Sequence, residues 1–193
     1  MGHWPGGTKL RKIFLFMMVS LDGYFEGKDH DLSWHNADNK EFQDFAIEQL
    51  GEIGTIIFGK TTYEMMASFW PTDLAKDDPI TAELMTKTPK IVISHSLEKA
   101  DWANTRLIKE NVEEELKKLK SQPGKDLAVF GSSNLCLSLL KMGLLDELRI
   151  MINPIVIGEG TTLFAGLDEK LKLKLQDTRV FKSGNVLLTE EIG

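Results

Sequence analysis

A short apolar run in the first third of the chain ends in a glycine, a lysine and two threonines: Thr55-Ile56-Ile57-Phe58-Gly59-Lys60-Thr61-Thr62. The apolar run is typical of a buried strand, and residues 61–69 have the spacing of a helix. The sequence therefore predicts a strand that leads into a helix through Gly59. Because the first N–H groups of a helix have no partner within it, this junction is a candidate anion site, to which Lys60 adds positive charge. The alternative is a tight turn with Thr61 as the helix cap.

A second junction of the same kind lies later in the chain, at Phe130-Gly131-Ser132-Ser133-Asn134. The sequence predicts a strand over residues 127–130 before it and a helix over residues 133–141 after it. A third strand, predicted over residues 90–94, ends in the polar segment Ser94-His95-Ser96. Because the carboxyl ends of parallel strands meet at one edge of a sheet, we expect these segments to form one site for a ligand with several phosphates.

Residues 54–61 also match the pattern of an ATP-binding phosphate loop, GxxxxGK[ST]. In such a loop the residues between the two glycines follow a buried strand and fold around the phosphates. Here those residues form the best local strand themselves. The sequence therefore argues against an ATP-using phosphotransferase.

Strand-like and helix-like segments alternate along most of the chain. The other predicted elements are strands over residues 12–19 and 148–157, a polar loop over 20–37, helices over 38–50 and from Asn111 to Pro123-Gly124, and a hairpin over 170–192 that turns at Ser183-Gly184-Asn185. Pro154 interrupts the second of these strands. This alternation, followed by antiparallel strands, predicts one α/β domain over residues 10–193 with a mixed sheet.

The composition is that of a soluble globular protein, with 42% hydrophobic and 27% charged residues among 193. A net charge of −6 argues against a nucleic-acid-binding protein. The single cysteine, Cys136, excludes a disulfide framework, and four scattered histidines predict no metal site. Residues 1–9 read as a flexible tail without a targeting signal, and no apolar run is long enough to span a membrane. We expect a cytoplasmic protein.

Three residues near the end of the polar loop are candidates for contact with a substrate: Trp34, Asp38 and Glu41. On local grounds the two acids are better explained by a helix start, where negative charge is favourable. An isolated tryptophan such as Trp34 is, in the same way, typical of a core residue. The local pattern therefore leaves their role open.

Seven segments follow one another in a fixed order: Ser20-Leu21-Asp22-Gly23-Tyr24, Gly27-Lys28-Asp29-His30-Asp31-Leu32-Ser33-Trp34, Phe58-Gly59-Lys60-Thr61-Thr62-Tyr63-Glu64, Ile91-Val92-Ile93-Ser94, Val129-Phe130-Gly131-Ser132, Gly143-Leu144-Leu145-Asp146-Glu147-Leu148, and Pro154 with Gly158-Glu159-Gly160-Thr161-Thr162-Leu163-Phe164. Their order and spacing resemble the dihydrofolate-reductase-like superfamily over residues 10–192. The nearest resemblance is to stand-alone relatives of the RibD C-terminal reductase domain of riboflavin biosynthesis. It implies a three-layer fold, with a mostly parallel central sheet, helices on both faces and an antiparallel C-terminal hairpin.

The resemblance also implies NADPH as cofactor and a homodimer as assembly. By resemblance, the cofactor-binding residues are Gly59, Lys60, Thr61, Ser94, His95, Ser96, Gly131, Ser132, Ser133, Asn134 and Leu135. The loop from Ser20 to Trp34 would then cover the reacting ring. Asp38, with Glu41 as second candidate, would orient or protonate a small-molecule substrate, and Trp34 would form a wall of its pocket.

Two positions differ from dihydrofolate reductases. Those enzymes have a glycine pair where this chain has Gly131-Ser132, and a substrate-binding carboxylate five residues after the loop tryptophan, where it has Asn39. The H-x-E and P-C-x-x-C segments of a zinc deaminase are also absent from the sequence. The resemblance therefore favours an NADPH-dependent reductase of the riboflavin type, acting on a pyrimidine- or pterin-like compound. Dihydrofolate-reductase-like activity and a non-catalytic NADP(H)-binding protein are the alternatives.

Overall fold

The computed structural model describes residues 10–193. It contains ten strands and five α-helices within that range, in the following order: β1 (Ile13–Ser20), β2 (Tyr24–Glu26), α1 (Lys40–Glu52), β3 (Ile53–Gly59), α2 (Lys60–Phe69), α3 (Pro79–Lys87), β4 (Lys90–Ile93), β5 (Thr105–Ile108), α4 (Val112–Lys120), β6 (Asp126–Val129), α5 (Ser133–Lys141), β7 (Glu147–Asn153), β8 (Thr161–Thr162), β9 (Leu173–Val180) and β10 (Val186–Ile192). The predicted tail, residues 1–9, lies outside the described residues.

Eight strands form one sheet in the order β5-β4-β3-β6-β1-β7-β10-β9. The first six strands of this order are parallel to one another, whereas β10 runs antiparallel to both β7 and β9. The short strands β2 and β8 form a separate antiparallel pair. The predicted mostly parallel sheet with a closing C-terminal hairpin is thus confirmed.

The central strand β1 separates two hydrophobic cores by the alternation of its side chains. Ile13 and Leu15 point to the face covered by α4 and α5, where Leu116 and Leu139 are fully buried. Phe14 points to the opposite face, which is covered by α1, α2 and α3. Helices therefore lie on both faces of the sheet, as the three-layer fold requires.

Several boundaries differ from the sequence prediction for local reasons. The strand predicted over residues 148–157 ends at Asn153, because Pro154 has no N–H to continue the ladder. The helix predicted from Asp38 begins at Lys40, since the Phe42 N–H donates to Asn39 Oδ1 (2.9 Å) and makes Asn39 the cap. Strand β5, helix α3 and the β2–β8 pair were not predicted. Among residues 10–193, the longest helices fall short of the length and apolar character needed to cross a membrane.

Candidate active site

Two helices begin at the carboxyl edge of the sheet without a side-chain cap. Gly59 is the N-cap of α2, and Ser132 is the N-cap of α5, yet neither helix start receives a hydrogen bond from a capping side chain. Thr61 lies inside the first turn of α2, so the predicted alternative with Thr61 as the cap is wrong. Both helix starts therefore have N–H groups available for an anion.

The two junctions lie against each other. A Cβ atom added to Gly59 would lie 3.1 Å from Ser132 Oγ, and one added to Gly131 would lie 3.1 Å from Thr62 Oγ1. Gly131 has a φ of +76°, in the left-handed region that favours glycine. The two glycines thus leave a cradle in which backbone amides can approach a ligand closely.

The end of β4 joins the cradle through a lysine. Lys60 Nζ donates to Ser96 Oγ (3.4 Å) and lies 4.0 Å from the carboxylate of Glu64. Ser94 Oγ accepts the N–H groups of Ser96 (3.3 Å) and Leu97 (3.0 Å), which shapes the turn after the strand. A partly exposed cation and a hydroxyl therefore stand beside the start of α2.

The structure brings together most, but not all, of the predicted cofactor residues. Ser133 is partly exposed and Asn134 is exposed in the first turn of α5, and His95 is exposed after β4. Leu135 is buried in the core beneath α5, where its Cβ would lie 3.8 Å from a Cβ added to Gly59. Uncapped helix starts, a lysine and hydroxyls are the donor set that a dinucleotide phosphate needs, so the residues present fit such a cofactor.

The predicted substrate-side residues are more scattered. Asp38 is exposed just before the start of α1. Glu41 has a structural partner, because the Lys182 N–H donates to its Oε2 (2.8 Å) and so fixes the turn between β9 and β10. Trp34 is partly exposed, donates from Nε1 to Asp31 O (3.0 Å), and meets the His35 ring edge-to-face at 4.4 Å.

Burial and hydrogen bonds set the charge of two residues, His35 and Asp22, near the loop that carries Trp34. Burial lowers the pKa of His35, against the opposing effects of the Phe25 carbonyl and Asp31, so its ring is neutral at neutral pH. The Ser20 hydroxyl, followed by the N–H groups of Gly158 and Ile157, lowers the pKa of Asp22. Asp22 thereby links the loop after β1 to the loop after β7.

Three asparagines hold the loop in place, and the sequence had marked none of them as part of a site. Asn153, fully buried at the end of β7, accepts the Asn36 N–H at Oδ1 (3.0 Å) and donates to Val19 O (3.1 Å). Asn185, also fully buried, donates to Asn36 O (3.0 Å) and accepts from Asn36 Nδ2 (3.1 Å). We call these residues the asparagine network. The network fixes the loop that carries Trp34.

Within residues 10–193, no three histidine, cysteine or acidic side chains are grouped so that they could hold a metal ion. The carboxyl edge of the sheet carries the glycine cradle, Lys60 beside it, and the loop that contains Trp34.

A parallel α/β sheet with this cradle and an antiparallel C-terminal hairpin defines a dihydrofolate-reductase-like domain. The model of one family within that class, the RibD C-terminal domain, matches residues 11–187. The chain belongs to that family.

Other known proteins resemble this chain in sequence or in structure. The uncharacterized protein YyaP of Bacillus subtilis is 34% identical over 187 residues, which cover 92% of this chain and 93% of that protein. A candidate riboflavin biosynthesis protein of Shewanella sp. PV-4 has a crystal structure that superimposes with a TM-score of 0.74 at 22% identity, covering 94% of this chain and 99% of its own. Dihydrofolate reductase of Enterococcus faecalis, solved with NADP(H), gives a TM-score of 0.63 at 18% identity, with 94% and 96% covered. Such structural likeness shows a shared fold.

Proposed function

We propose that this protein is an NADPH-dependent reductase that transfers hydride to a small pyrimidine- or pterin-like compound, similar to the 5-amino-6-(5-phosphoribosylamino)uracil reductase of riboflavin biosynthesis. The observation that carries the proposal is the contact between the Gly59 and Gly131 junctions, with Lys60 and Ser96 beside them. Two helix starts and one lysine at a single point favour a ligand with several phosphates.

The chain's residues have distinct tasks in this proposal. Lys60 and Ser96 bind the phosphates, and the cradle between Gly59 and Gly131 lets backbone amides reach them. When bound, the nicotinamide supplies the hydride. The covering loop excludes water, and Asp38, at the start of α1, orients or protonates the substrate. Glu41 is a positioning residue, since its bond to the Lys182 N–H keeps α1 and the hairpin turn together.

Calorimetric titration with NADPH and with NADH tests the cofactor. We expect NADPH to bind more tightly, and Lys60→Ala to weaken NADPH binding by about tenfold or more, because a charge-assisted phosphate contact is lost. Lys40→Ala is the matched control: Lys40 also begins a helix and also faces an acid one turn later, Asp44 at 2.8 Å. Binding of neither nucleotide to the folded protein, or equal effects of the two substitutions, would contradict the proposal.

Replacing Asp38 by asparagine tests the substrate side. We expect turnover, followed by the loss of NADPH absorbance, to fall at least about tenfold, while the Kd for NADPH stays within about twofold. The reason is that the amide keeps the shape of the side chain and loses its charge and proton. Unchanged turnover would show that Asp38 takes no part in the reaction.

A second candidate function is a non-catalytic NADP(H)-binding protein. The two candidate catalytic carboxylates favour this function, because neither is held ready for a substrate. Glu41 is bonded to the Lys182 N–H, and Asp38 is exposed. In that case, wild-type protein would bind NADPH and oxidise none of it with any pyrimidine or pterin compound. Dihydrofolate reduction receives less support, since Asn39 stands at the position of the required carboxylate and caps α1.

The same proposal includes a homodimer. Strand β9 is an edge strand with exposed Leu175 (55%) and Val180 (70%), and nothing within residues 10–193 pairs with its outer side. Such an edge favours pairing with another chain. We expect light scattering to give the mass of a dimer and Leu175→Lys to shift it toward the monomer. A monomeric wild-type protein at high concentration would exclude this assembly.

A further inference from the structure

One position in the centre of the sheet is unexpectedly open to solvent. Strand β1 has neighbours on both sides, and seven of its eight residues are buried; the exception is Phe16. Phe130, just after the neighbouring strand β6, is also partly exposed. The two rings lie 5.9 Å apart in an edge-to-face arrangement. A partly exposed aromatic pair at the middle of a central sheet requires a gap in the helix layer above it.

The position of that gap follows from the packing around Phe16. The core on this face is divided into two clusters, one around Phe58 and Tyr63 of β3 and α2, the other around Phe45 of α1. Phe16 packs against both clusters, and its ring lies 5.7 Å from that of Phe45. The gap therefore lies between α1 and α2. Because Phe130 directly precedes Gly131, the gap continues into the cradle.

The charges around this gap are unusual for a site that would take a phosphorylated compound. The bordering elements β1, β6, β7, α1 and α2 carry three cations between them: Lys40, Lys60 and Arg149, which lies beside Phe16 in the sheet register. Lys40 is paired with Asp44, Arg149 is paired with Glu147 (2.7 Å) and lies over the Phe14 ring, and Lys60 belongs to the cradle. His35, the one titratable base of the loop segment 31–39, is kept neutral by burial. No unpaired cation on these elements is left for a phosphate on the substrate.

We infer that the gap binds a flat, uncharged and unphosphorylated heterocycle, whose ring lies against Phe16 and Phe130, and that these two phenylalanines determine substrate specificity. Flat conjugated rings stack on aromatic side chains, and the polar edge of such a ring would face the rim at Asp38. The inference rests on the proposed function, because the ring must lie beside the cradle. It departs from a phosphoribosyl substrate of the riboflavin type.

Binding of lumazine, a fluorescent pteridine that is uncharged in mildly acidic buffer, tests the aromatic pair. The titrations are made with saturating NADP⁺, so that the cradle is filled and only the gap is measured. We expect quenching of lumazine fluorescence on binding, a Kd raised about tenfold by Phe16→Ala, and a smaller rise with Phe16→Leu. Phe69→Leu is the control, since Phe69 is exposed at the last turn of α2, about 14 Å along the helix from Lys60.

Competition by uridine and by uridine 5′-monophosphate tests the absence of a phosphate site. Both carry the same ring, and we expect uridine to displace lumazine at least as well as its monophosphate. Failure of lumazine to bind, an unchanged Kd in both Phe16 variants, or clearly tighter binding of the monophosphate would each overturn the inference. NADPH affinity is measured on the same variants, so that a failure of this inference can be told apart from a failure of the proposed function. If NADPH binds normally and lumazine does not bind, the inference is wrong and NADPH remains the proposed cofactor. If Phe16→Ala fails to fold, Phe16→Leu gives the result.

Discussion

Replacing Gly59 by valine is expected to weaken NADPH binding by about 100-fold or more, which corresponds to about 2.7 kcal/mol. A Cβ at this position would already lie 3.1 Å from Ser132 Oγ and 3.8 Å from Leu135 Cβ, and the two methyl groups of valine extend farther. They would occupy the cradle or separate the two junctions. In either case a phosphate could no longer approach the helix starts, which is the reason for a glycine at such a site.

Gly51→Val is the matched control for this substitution. Gly51 lies near the end of α1, and a Cβ there would meet no atom within 4 Å. We expect the control to keep its NADPH affinity within about twofold, and both variants to keep the circular dichroism spectrum of the wild type. Tight NADPH binding by Gly59→Val would show that the cofactor binds elsewhere and that the cradle has another role. Alanine at position 59 should give an intermediate result, because the Ser132 hydroxyl can move.

Local patterns were enough to predict the cradle from the sequence. The β3–α2 junction at Gly59 and the β6–α5 junction at Gly131 both combine an apolar run, a glycine and a helix start within about a dozen residues, so a short stretch of sequence is enough to predict each junction. Helix α5 was predicted with its observed bounds. That the two junctions meet follows from parallel strand order, which the alternation of elements indicates.

The substrate side could not be predicted in the same way, because long-range contacts determine it. Glu41 and Lys182 are separated by 141 residues, so nothing near Glu41 shows that its carboxylate is already bonded. Phe16 belongs to a uniformly apolar run, in which no pattern marks the one side chain that the helices leave uncovered. Asp38 and Asn39 are a similar case: either could begin the helix by local preference, and the hydrogen bond from Phe42 selects Asn39.

The asparagine network is the most consequential of these long-range features, and Asn153→Leu is expected to lower the free energy of unfolding by about 3 kcal/mol. Leucine has the same number of side-chain heavy atoms as asparagine, branched at the same carbon, and no polar atoms. It would leave the Asn36 N–H and the Val19 carbonyl without their partners at 3.0 and 3.1 Å, at a position with no exposed surface. Buried groups left unpaired cost more than the hydrogen bonds themselves contribute. Urea unfolding measures the change.

The same substitution should act on the site as well as on stability. Without its bond to Asn153, the segment around Asn36 is held only by its bonds to Asn185 and to the Ser183 carbonyl. The chain on either side of Trp34 should then open more often than the rest of the domain. We therefore expect chymotrypsin to cleave near Trp34 at least about tenfold faster in native buffer, while NADPH affinity changes by less than about threefold, since the cradle lies on other strands. Gln122→Leu, which removes an exposed amide, is the control and should change stability by no more than about 0.5 kcal/mol. Equal losses of stability in Asn153→Leu and Gln122→Leu would show that apolar contacts, rather than the asparagines, hold the loop. Unchanged cleavage near Trp34 in Asn153→Leu would show the same.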